Sequence, residues 1–386
     1  MVVKVSKPEL NLREKISELD KPSGIAGEAM LRAETPHEQQ ALIGVGRRNL
    51  VINGDFRIAQ RGTTSTSPNY KTVDRWRSTS GSSANGTMHQ AQTTDGPANE
   101  GHAYSYKYTS TSSTSSVPTG SDPWIKYEVA SEDLTNLKLY DWKKELTLSF
   151  WIKTNQPGQH SISLNSGNFS GANYTVAYDI NSTDWQKVIV TYPAPPIDLP
   201  SGNVGLRLYW SLGAGATYQI PLADTNRWQT GQGKYEAVGN KRIAGINNAF
   251  VQIAGVQLEL GKVATPFEHR SYGEELALCQ RYFVRFDGNT EHIGQNYSGG
   301  SIDINVALPV YMRSTPTLVC EDTQGTANKA SVYSGGYNYG ISAAISAGRT
   351  RGNQTMIRMN GTLSPAGTVN DCVQVQFDDL QFSAEL

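Results

Sequence analysis

Alternation of apolar and polar residues is the feature of this chain that most narrowly limits its fold. In the segment 146–154, LTLSFWIKT, every second residue is apolar, and Trp151 falls on the opposite, polar side with Lys153. A period of two predicts a β-strand with one buried face. Clusters of Pro, Gly and Asn separate such segments, so we predict a mostly β, antiparallel chain. The same alternation recurs at 174–180, 204–210, 250–260 and 301–310.

Two segments far apart in the sequence are predicted to lie side by side as the first and last strands of one sandwich. They read RNLVINGDF at 48–56 and GVQLELGKVATPFEHR at 255–270. A capping box of Ser271 and Glu274 then predicts a short helix, after which alternating strands resume. The predicted units are a helical segment at 1–46, a large antiparallel, jelly-roll-like β-sandwich at 47–270, and a smaller C-terminal β-sandwich domain at 271–386, led by the helix.

The first 46 residues are predicted to be helical. A capping box at Ser6 and Glu9 precedes Leu12, Ile16 and Leu19, which recur at helical spacing. A helix shorter than about 12–15 residues is marginal in water, so this apolar stripe requires a partner surface. Two interpretations follow. The segment is either an ordinary helical appendage of the sandwich, or an anchor that assembles copies of the chain and docks them on a neighbouring protein.

Composition argues against several classes of partner. The net charge of −1 and the charged fraction of 18% supply no field for phosphate backbones, so we expect no nucleic-acid binding. No apolar run is long enough to span a bilayer, so we expect no membrane insertion. Cys279, Cys320 and Cys372 are odd in number and far apart. This spacing favours reduced thiols and assembly in a cytoplasm over disulfides or a zinc site.

Motifs of catalysis are lacking as well. The sequence contains no nucleophile elbow, phosphate-binding loop or zinc-binding histidine pair. A glycosidase needs two carboxylates that face each other across the scissile bond, and a sequence alone cannot show such facing. Neighbouring carboxylates such as Asp378 and Asp379 are therefore interpreted as solvated surface charge. We predict no enzymatic activity, no cofactor and no metal.

Aromatic residues in polar loops are the candidates for ligand binding. Sugar recognition requires flat apolar faces for pyranose C–H groups and a few fixed polar groups for the hydroxyls. Packing between subunits is the alternative role for Trp124 and Trp228. The other tryptophans that we interpret are assigned structural roles, namely Trp76, Trp151, Trp185 and Trp210. The four candidates for carbohydrate binding are Trp124, Tyr218, Trp228 and Tyr235.

Several of these segments together resemble the carbohydrate-binding-module-like domain of bacteriophage tail fibre and receptor-binding proteins. The resemblance covers residues 47–386, and its most specific parts are RNLVINGD, GVQLELGKVATPFEHR and the following SYGEELALCQRYF. LTLSFWIKT and DWQKVIVTY are similar to two strands of that family. Arg57 stands where enzyme-linked relatives often have an acidic residue that helps hold a structural calcium, so we do not transfer that metal site to this chain.

The resemblance implies a non-enzymatic virion protein that binds polysaccharide on the host cell surface. It further implies a homotrimer that is assembled in the host cytoplasm and docked on other tail or capsid proteins through residues 1–46. Three weak sugar-binding faces held together would gain affinity through their high effective concentration. The alternative is a purely structural virion connector or decoration protein, whose aromatic residues pack against protein rather than sugar.

Overall fold

Antiparallel strands dominate the protein, which confirms the predicted mostly β fold. In the computed structural model, strands predominate among the described residues, and helices are few and short. The predicted helices of residues 1–46, with Leu12, Ile16 and Leu19, lie outside the described residues and stay predictions. The structure describes residues 47–82, 86–136, 145–166, 172–194, 204–230, 233–296, 301–334, 337–340, 345–351, 354–360 and 372–386.

Two six-stranded antiparallel sheets form a sandwich. The first sheet contains, in spatial order, β1 (Thr64–Ser65), β3 (Met88–Thr93), β4 (Ser105–Ser110), β14 (Phe250–Leu260), β6 (Leu146–Thr154) and β9 (Gln186–Tyr192). The second contains β12 (Trp228–Thr230), β8 (Ala172–Ile180), β7 (Gly158–Ser166), β10 (Val204–Ser211), β5 (Trp124–Ala130) and β2 (Trp76–Thr79). A short parallel pair follows β10, made of β11 (Gln219–Ile220) and β13 (Glu236–Ala237).

The alternation seen in the sequence builds the core between these two sheets. The apolar positions of β6 and β10 meet in one buried cluster, with Leu148 and Phe150 on one side and Leu208 and Trp210 on the other. Trp76 is 0% exposed at its centre. Burial of each large apolar side chain contributes about 1.5–3 kcal/mol. Because successive strand residues point to opposite faces, the intervening residues lie on the two outer faces of the sandwich, which we name the first-sheet face and the second-sheet face.

The opening segment around Leu50 pairs with β14 as predicted, but it is not a strand. The Leu50 N–H donates to the Leu258 carbonyl at 2.8 Å, and the Val256 N–H donates to the Gly54 carbonyl at 2.9 Å. Between these bonds Asn53 has a φ of 58°. A left-handed residue turns the chain and interrupts an extended strand, so the pairing is right and the predicted strand is wrong.

The C-terminal part begins with the predicted helix. Two α-helices lie in the described residues, α1 (Ser131–Asn136) and α2 (Tyr272–Gln280), and 3-10 turns occur at Ala98–Glu100, Ala216–Tyr218 and Leu222–Asp224. The capping box is confirmed, since Ser271 accepts from the Glu274 N–H and the Glu274 carboxylate accepts from the Ser271 N–H. Within the described residues, no helix combines the length and apolar character needed to cross a membrane.

A third antiparallel sheet follows α2. Its core is built from alternate residues of its strands, such as Ile302, Ile304 and Phe377, as the alternation predicted. β17 (Thr317–Glu321) pairs with β22 (Cys372–Ser383) beside the main path of the sheet. The strands of the main path are, in spatial order, β19 (Tyr337–Gly340), β18 (Ser331–Ser334), β22 (Cys372–Ser383), β15 (Phe283–Asn296), β16 (Ser301–Ala307), β21 (Gln354–Asn360) and β20 (Ile345–Arg351).

Buried charges and aromatic rings join this sheet to the sandwich. Arg75 is 0% exposed and pairs with Glu385 near the C-terminus. The Arg75 guanidinium also lies 3.5 Å from the ring centre of Tyr282, whose hydroxyl donates to Asp133 at 2.8 Å. Residues Leu50–Leu386 form one compact unit, and the predicted division at residue 270 stays a prediction.

Candidate functional site

Three of the four predicted aromatic residues meet on the second-sheet face. Tyr235 lies between two other tyrosines: its ring centroid is 4.7 Å from that of Tyr209 on β10 and 5.1 Å from that of Tyr218. The planes differ by only 14° and 17°, so the three rings form a face-to-face stack. Trp124 of β5 meets Tyr209 edge-on at 6.2 Å. We name these four residues the stacked-tyrosine site.

Exposure separates the four rings into two pairs. Tyr209 and Tyr235 are each 2% exposed, whereas Trp124 and Tyr218 are half-buried. Since both faces of the Tyr235 ring are covered by its neighbours, that ring supports Tyr218 and offers no face to a ligand. The accessible aromatic surface of the site therefore belongs to Trp124 and Tyr218.

The half-buried carboxylate of Asp122 lies among these rings. Burial raises its pKa, while a hydrogen bond from the Trp124 side chain and the nearby charge of Lys126 oppose the shift. Burial also raises the pKa of the Tyr218 and Tyr235 phenols, and the negative charge of Asp122 adds to both shifts. The site thus combines two accessible rings with a hydrogen-bond acceptor, the kinds of group that sugar recognition requires.

A buried carboxylate fixes the loop that carries Tyr218 and Tyr235. Glu236 is 1% exposed, and its Oε2 atom accepts hydrogen bonds from the backbone N–H groups of Gly213 at 3.0 Å and Ala214 at 2.7 Å. Burial raises the pKa of Glu236, and these hydrogen bonds oppose that shift. Because Glu236 directly follows Tyr235, the same bonds determine where the stack forms.

The remainder of the second-sheet face is closed by an ion cluster around Glu128, which is 1% exposed. Its carboxylate lies 2.5 Å from Arg77 Nη2, 2.7 Å from Arg207 Nε and 3.3 Å from Lys126 Nζ. Burial acts to raise the pKa of Glu128, but the three cations together lower it. Lys126 Nζ also lies 4.5 Å from the Trp124 ring centre, so a cation lies over the indole of Trp124.

Trp228 lies apart from the stacked-tyrosine site. It belongs to β12 at the edge of the second sheet and packs edge-on against Tyr174, with ring centroids 5.3 Å apart. Its Nε1 atom donates to the Pro193 carbonyl at 2.9 Å, and the ring is packed against the core. In this position Trp228 closes the edge of the core, and its predicted contact with a ligand stays a prediction.

The first-sheet face carries two tryptophans whose exposure the sequence interpretation missed. The structural roles of Trp76 and Trp210 are confirmed, since they are 0% and 1% exposed. Trp151 and Trp185 are instead half-buried, and Trp151 points away from the core. The signal was present in the sequence, because Trp151 stands on the polar side of the alternation of β6 and a structural tryptophan belongs on the apolar side.

The carboxylate of Asp55, a possible ligand for a cation, is paired with side chains of the protein itself. Arg57 Nη2 lies 2.7 Å from one oxygen of Asp55, and His102 Nδ1 lies 2.7 Å from the other. Both oxygens of this carboxylate therefore have protein partners. In the part of the chain that the structure describes, no three His, Cys, Asp or Glu residues are grouped so that they could hold a metal ion.

Comparisons with known proteins find solved structures of low similarity. No family model and no curated protein matches the chain. A putative sugar binding protein from Bacteroides thetaiotaomicron is 14% identical over 55% of this chain and 100% of its own, with a TM-score of 0.32. The CBM22-1 xylan-binding domain of Paenibacillus barcinonensis Xyn10C is 11% identical over 52% and 94%, with a TM-score of 0.27.

A phage protein is also among the similar structures. The enzymatically active domain of tailspike protein 4 from bacteriophage CBA120 is 12% identical, with a TM-score of 0.28. The match covers 55% of this chain but only 21% of the tailspike chain. Similarities at these scores carry no argument about this chain.

Proposed function

We propose that this chain is a non-enzymatic carbohydrate-binding protein and that the stacked-tyrosine site contacts the sugar. The observation that carries the proposal is the half-exposed pair of rings, Trp124 and Tyr218, around the Asp122 carboxylate. The rings would stack on pyranose C–H groups, and Asp122 would accept hydrogen bonds from hydroxyls. Because Tyr235 backs Tyr218 and Glu236 fixes the loop, little ordering remains to oppose binding.

Binding without catalysis is the activity that this arrangement favours. Hydrolysis of a glycosidic bond requires two carboxylates that both reach the substrate. Among the carboxylates described around the site, Asp122 is half-buried, whereas Glu128 is enclosed by cations and Glu236 is saturated by hydrogen bonds. The second carboxylate of a hydrolase therefore has no counterpart among these described groups.

The wider role that we propose is host attachment by a virion tail fibre. The sequence resemblance at 48–56 and 255–283 supports it, with residues 1–46 as the anchor to tail or capsid proteins and as the trimerisation segment. Light scattering is expected to give a trimer for the full chain and a monomer without residues 1–46. A structural connector is the second candidate, and the cation over Trp124 together with the packing of Trp228 favours it.

A glycan array with the purified full chain tests the proposed function. We expect signal on at least one bacterial surface polysaccharide and a loss of at least about tenfold on Tyr218→Ala, which corresponds to roughly 1.4 kcal/mol. Tyr311→Ala is the matched control, because Tyr311 is 65% exposed and lies outside the sandwich. No signal on any polysaccharide, or equal losses in both variants, would favour the connector.

A further inference from the structure

Two tryptophans and two lysines alternate around one patch of the first-sheet face. The register of β6 and β9 places Trp151 opposite Lys187, and its continuation places Trp185 opposite Lys153. Residues that are directly opposite lie about 5 Å apart, and diagonal neighbours remain within reach of long side chains. Each lysine accordingly lies near an indole: Lys187 Nζ is 6.0 Å from the ring centre of Trp151, and Lys153 Nζ is 6.0 Å from that of Trp185. We name these four residues the Trp–Lys face.

The Trp–Lys face is accessible. The neighbouring residues of the same strands, such as Phe150 and Val188, are in the core, so the patch points outward. Both indoles are half-buried and Lys187 is exposed. Ile189, two residues along β9, is 54% exposed and extends the apolar surface beside the indole of Trp151.

Polar contacts hold one side of the patch in place. Lys153 Nζ lies 3.0 Å from Asp95 Oδ2, and this hydrogen bond is the largest cause of a lowered Asp95 pKa. Gln252, 2% exposed, donates to Thr93 Oγ1 and to Ser105 Oγ, both at 3.2 Å. Ser105 Oγ in turn donates to the Asp95 carbonyl at 2.9 Å. The turn that presents Asp95 is therefore fixed to the sheet.

Positive charge extends from the patch across the sheet. Lys107 lies opposite Gln252, which lies opposite Lys153, so the row from Lys107 to Trp185 crosses four strands, or roughly 14 Å. The lysines on this surface are Lys107, Lys153 and Lys187; Asp95 bonds to Lys153, and Asp184 directly precedes Trp185 in the sequence. Glu259, on the same face, is 1% exposed and accepts from the Thr265 N–H.

We propose that the Trp–Lys face is a second glycan-binding site and that it selects polysaccharides bearing carboxylate groups. The indoles would stack on the sugar rings, while Lys187 and Lys107 would attract the carboxylates and Asp95 would accept from hydroxyls. A neutral polysaccharide gains only the stacking part of this interaction. The site lies on the opposite side of the sandwich from the stacked-tyrosine site and does not depend on it, so one chain would bind two glycans.

Titration calorimetry of the full chain with polygalacturonate tests this inference. We expect binding that weakens as salt is added, at least about tenfold loss on Trp151→Ala, and about fivefold loss on Lys187→Gln. Lys262→Gln is the matched control, because the Lys262 side chain is 73% exposed and lies outside the patch. Lys187 is exposed, so its variant leaves the fold intact and reports on binding even where Trp151→Ala unfolds the protein.

Three further probes separate the possible outcomes. Neutral dextran is expected to bind more weakly than polygalacturonate, and Tyr218→Ala is expected to leave polygalacturonate binding unchanged. Equal affinity for the two polysaccharides would remove the role of the lysines. Single-stranded DNA bound as tightly as polygalacturonate would indicate a general polyanion surface and overturn the selectivity. A loss on Tyr218→Ala as large as that on Trp151→Ala would overturn the claim of two separate sites.

Discussion

The two outer faces of the sandwich place their charges in opposite ways. On the second-sheet face, Glu128 is 1% exposed and is surrounded by Arg77, Arg207 and Lys126. On the first-sheet face, the Asp95 side chain is 56% exposed and bonds to Lys153. The pleat of the strands sends Glu128 and Lys153 outward, whereas Asp95 is presented by the turn that follows β3. What differs is whether the long cationic side chains fold over the sheet or remain available at the surface.

This difference separates residues that support the fold from residues that are free to bind. A buried carboxylate is tolerated when all of its cationic partners are present. Removal of one residue of such an ion cluster leaves the remaining charges uncompensated in a poorly solvated place. An exposed ion pair contributes little, because water screens it and the side chains lose conformational freedom in forming it. On the second-sheet face, the accessible aromatic rings therefore lie at one end. On the first-sheet face, the rings and lysines remain accessible over several strands.

The largest expected effect tests this contrast through stability. Glu128→Ala leaves three cations without their anion and is expected to lower the free energy of unfolding by about 3–5 kcal/mol. Asp95→Ala removes an exposed partner and is expected to lower it by less than about 1 kcal/mol. Urea unfolding measures both values, and Glu128→Gln keeps the size of the side chain as a control. Equal losses at the two positions would remove the distinction between the faces.

The sequence predicted the parts of the fold that depend on local periodicity. The alternation in β6, β10 and β16 identified their core residues, because burial of one face of a strand follows directly from a period of two. Ser271 and Glu274 predicted their helix, because a capping box involves only neighbouring backbone. The opening strand failed because Asn53 adopts a left-handed conformation. The Asn53-Gly54 pair, which is typical of turns, was the sequence signal that the alternation did not take into account.

The candidate site was predictable only in part. Trp124, Tyr218 and Tyr235 were identified as aromatic residues in or beside polar loops, but Tyr209 was not, because the tyrosine stack joins a strand to a loop through a contact that no spacing encodes. The outward position of Trp151 was readable from the alternation of β6, which placed it on the polar side. It was nevertheless assigned a structural role, because tryptophan is usually buried in a sandwich and that expectation was applied without regard to the side of the strand.

A smaller effect is expected from a candidate that lies on neither outer face. Trp228→Ala removes a ring packed on Tyr174 and the core, and we expect it to lower the free energy of unfolding by roughly 1–3 kcal/mol. Because Trp228 packs on Tyr174 and the core, apart from the stacked-tyrosine site, we expect the folded Trp228→Ala variant to bind glycans as the unchanged protein does, against the contact predicted from the sequence. Tyr218→Ala is expected to show the reverse, weak binding with nearly unchanged stability. If a folded Trp228→Ala variant lost glycan binding, Trp228 would be shown to take part in binding.

The smallest expected effect is a pH dependence that distinguishes the two glycan sites. Because its pKa is raised, Asp122 begins to protonate at a higher pH than an ordinary aspartate and then accepts fewer hydrogen bonds. Binding at the stacked-tyrosine site should therefore weaken by a few-fold as the pH falls toward that pKa. Asp95 has a lowered pKa and stays ionised in the pH range in which Asp122 protonates. Binding of polygalacturonate at the Trp–Lys face should therefore persist in that range, as long as the carboxylates of the polysaccharide remain charged.

Folding responds to Asp122 with the opposite sign, which gives an internal check. A carboxyl group whose pKa is raised on folding stabilises the protein fully below its unfolded pKa, and this contribution is lost as the pH rises through the folded pKa. Asp122→Asn cannot titrate, so it should flatten both the binding profile and this part of the stability profile. A binding profile unchanged by Asp122→Asn would show that the carboxylate does not contact the sugar and would leave recognition at that face to Trp124 and Tyr218 alone.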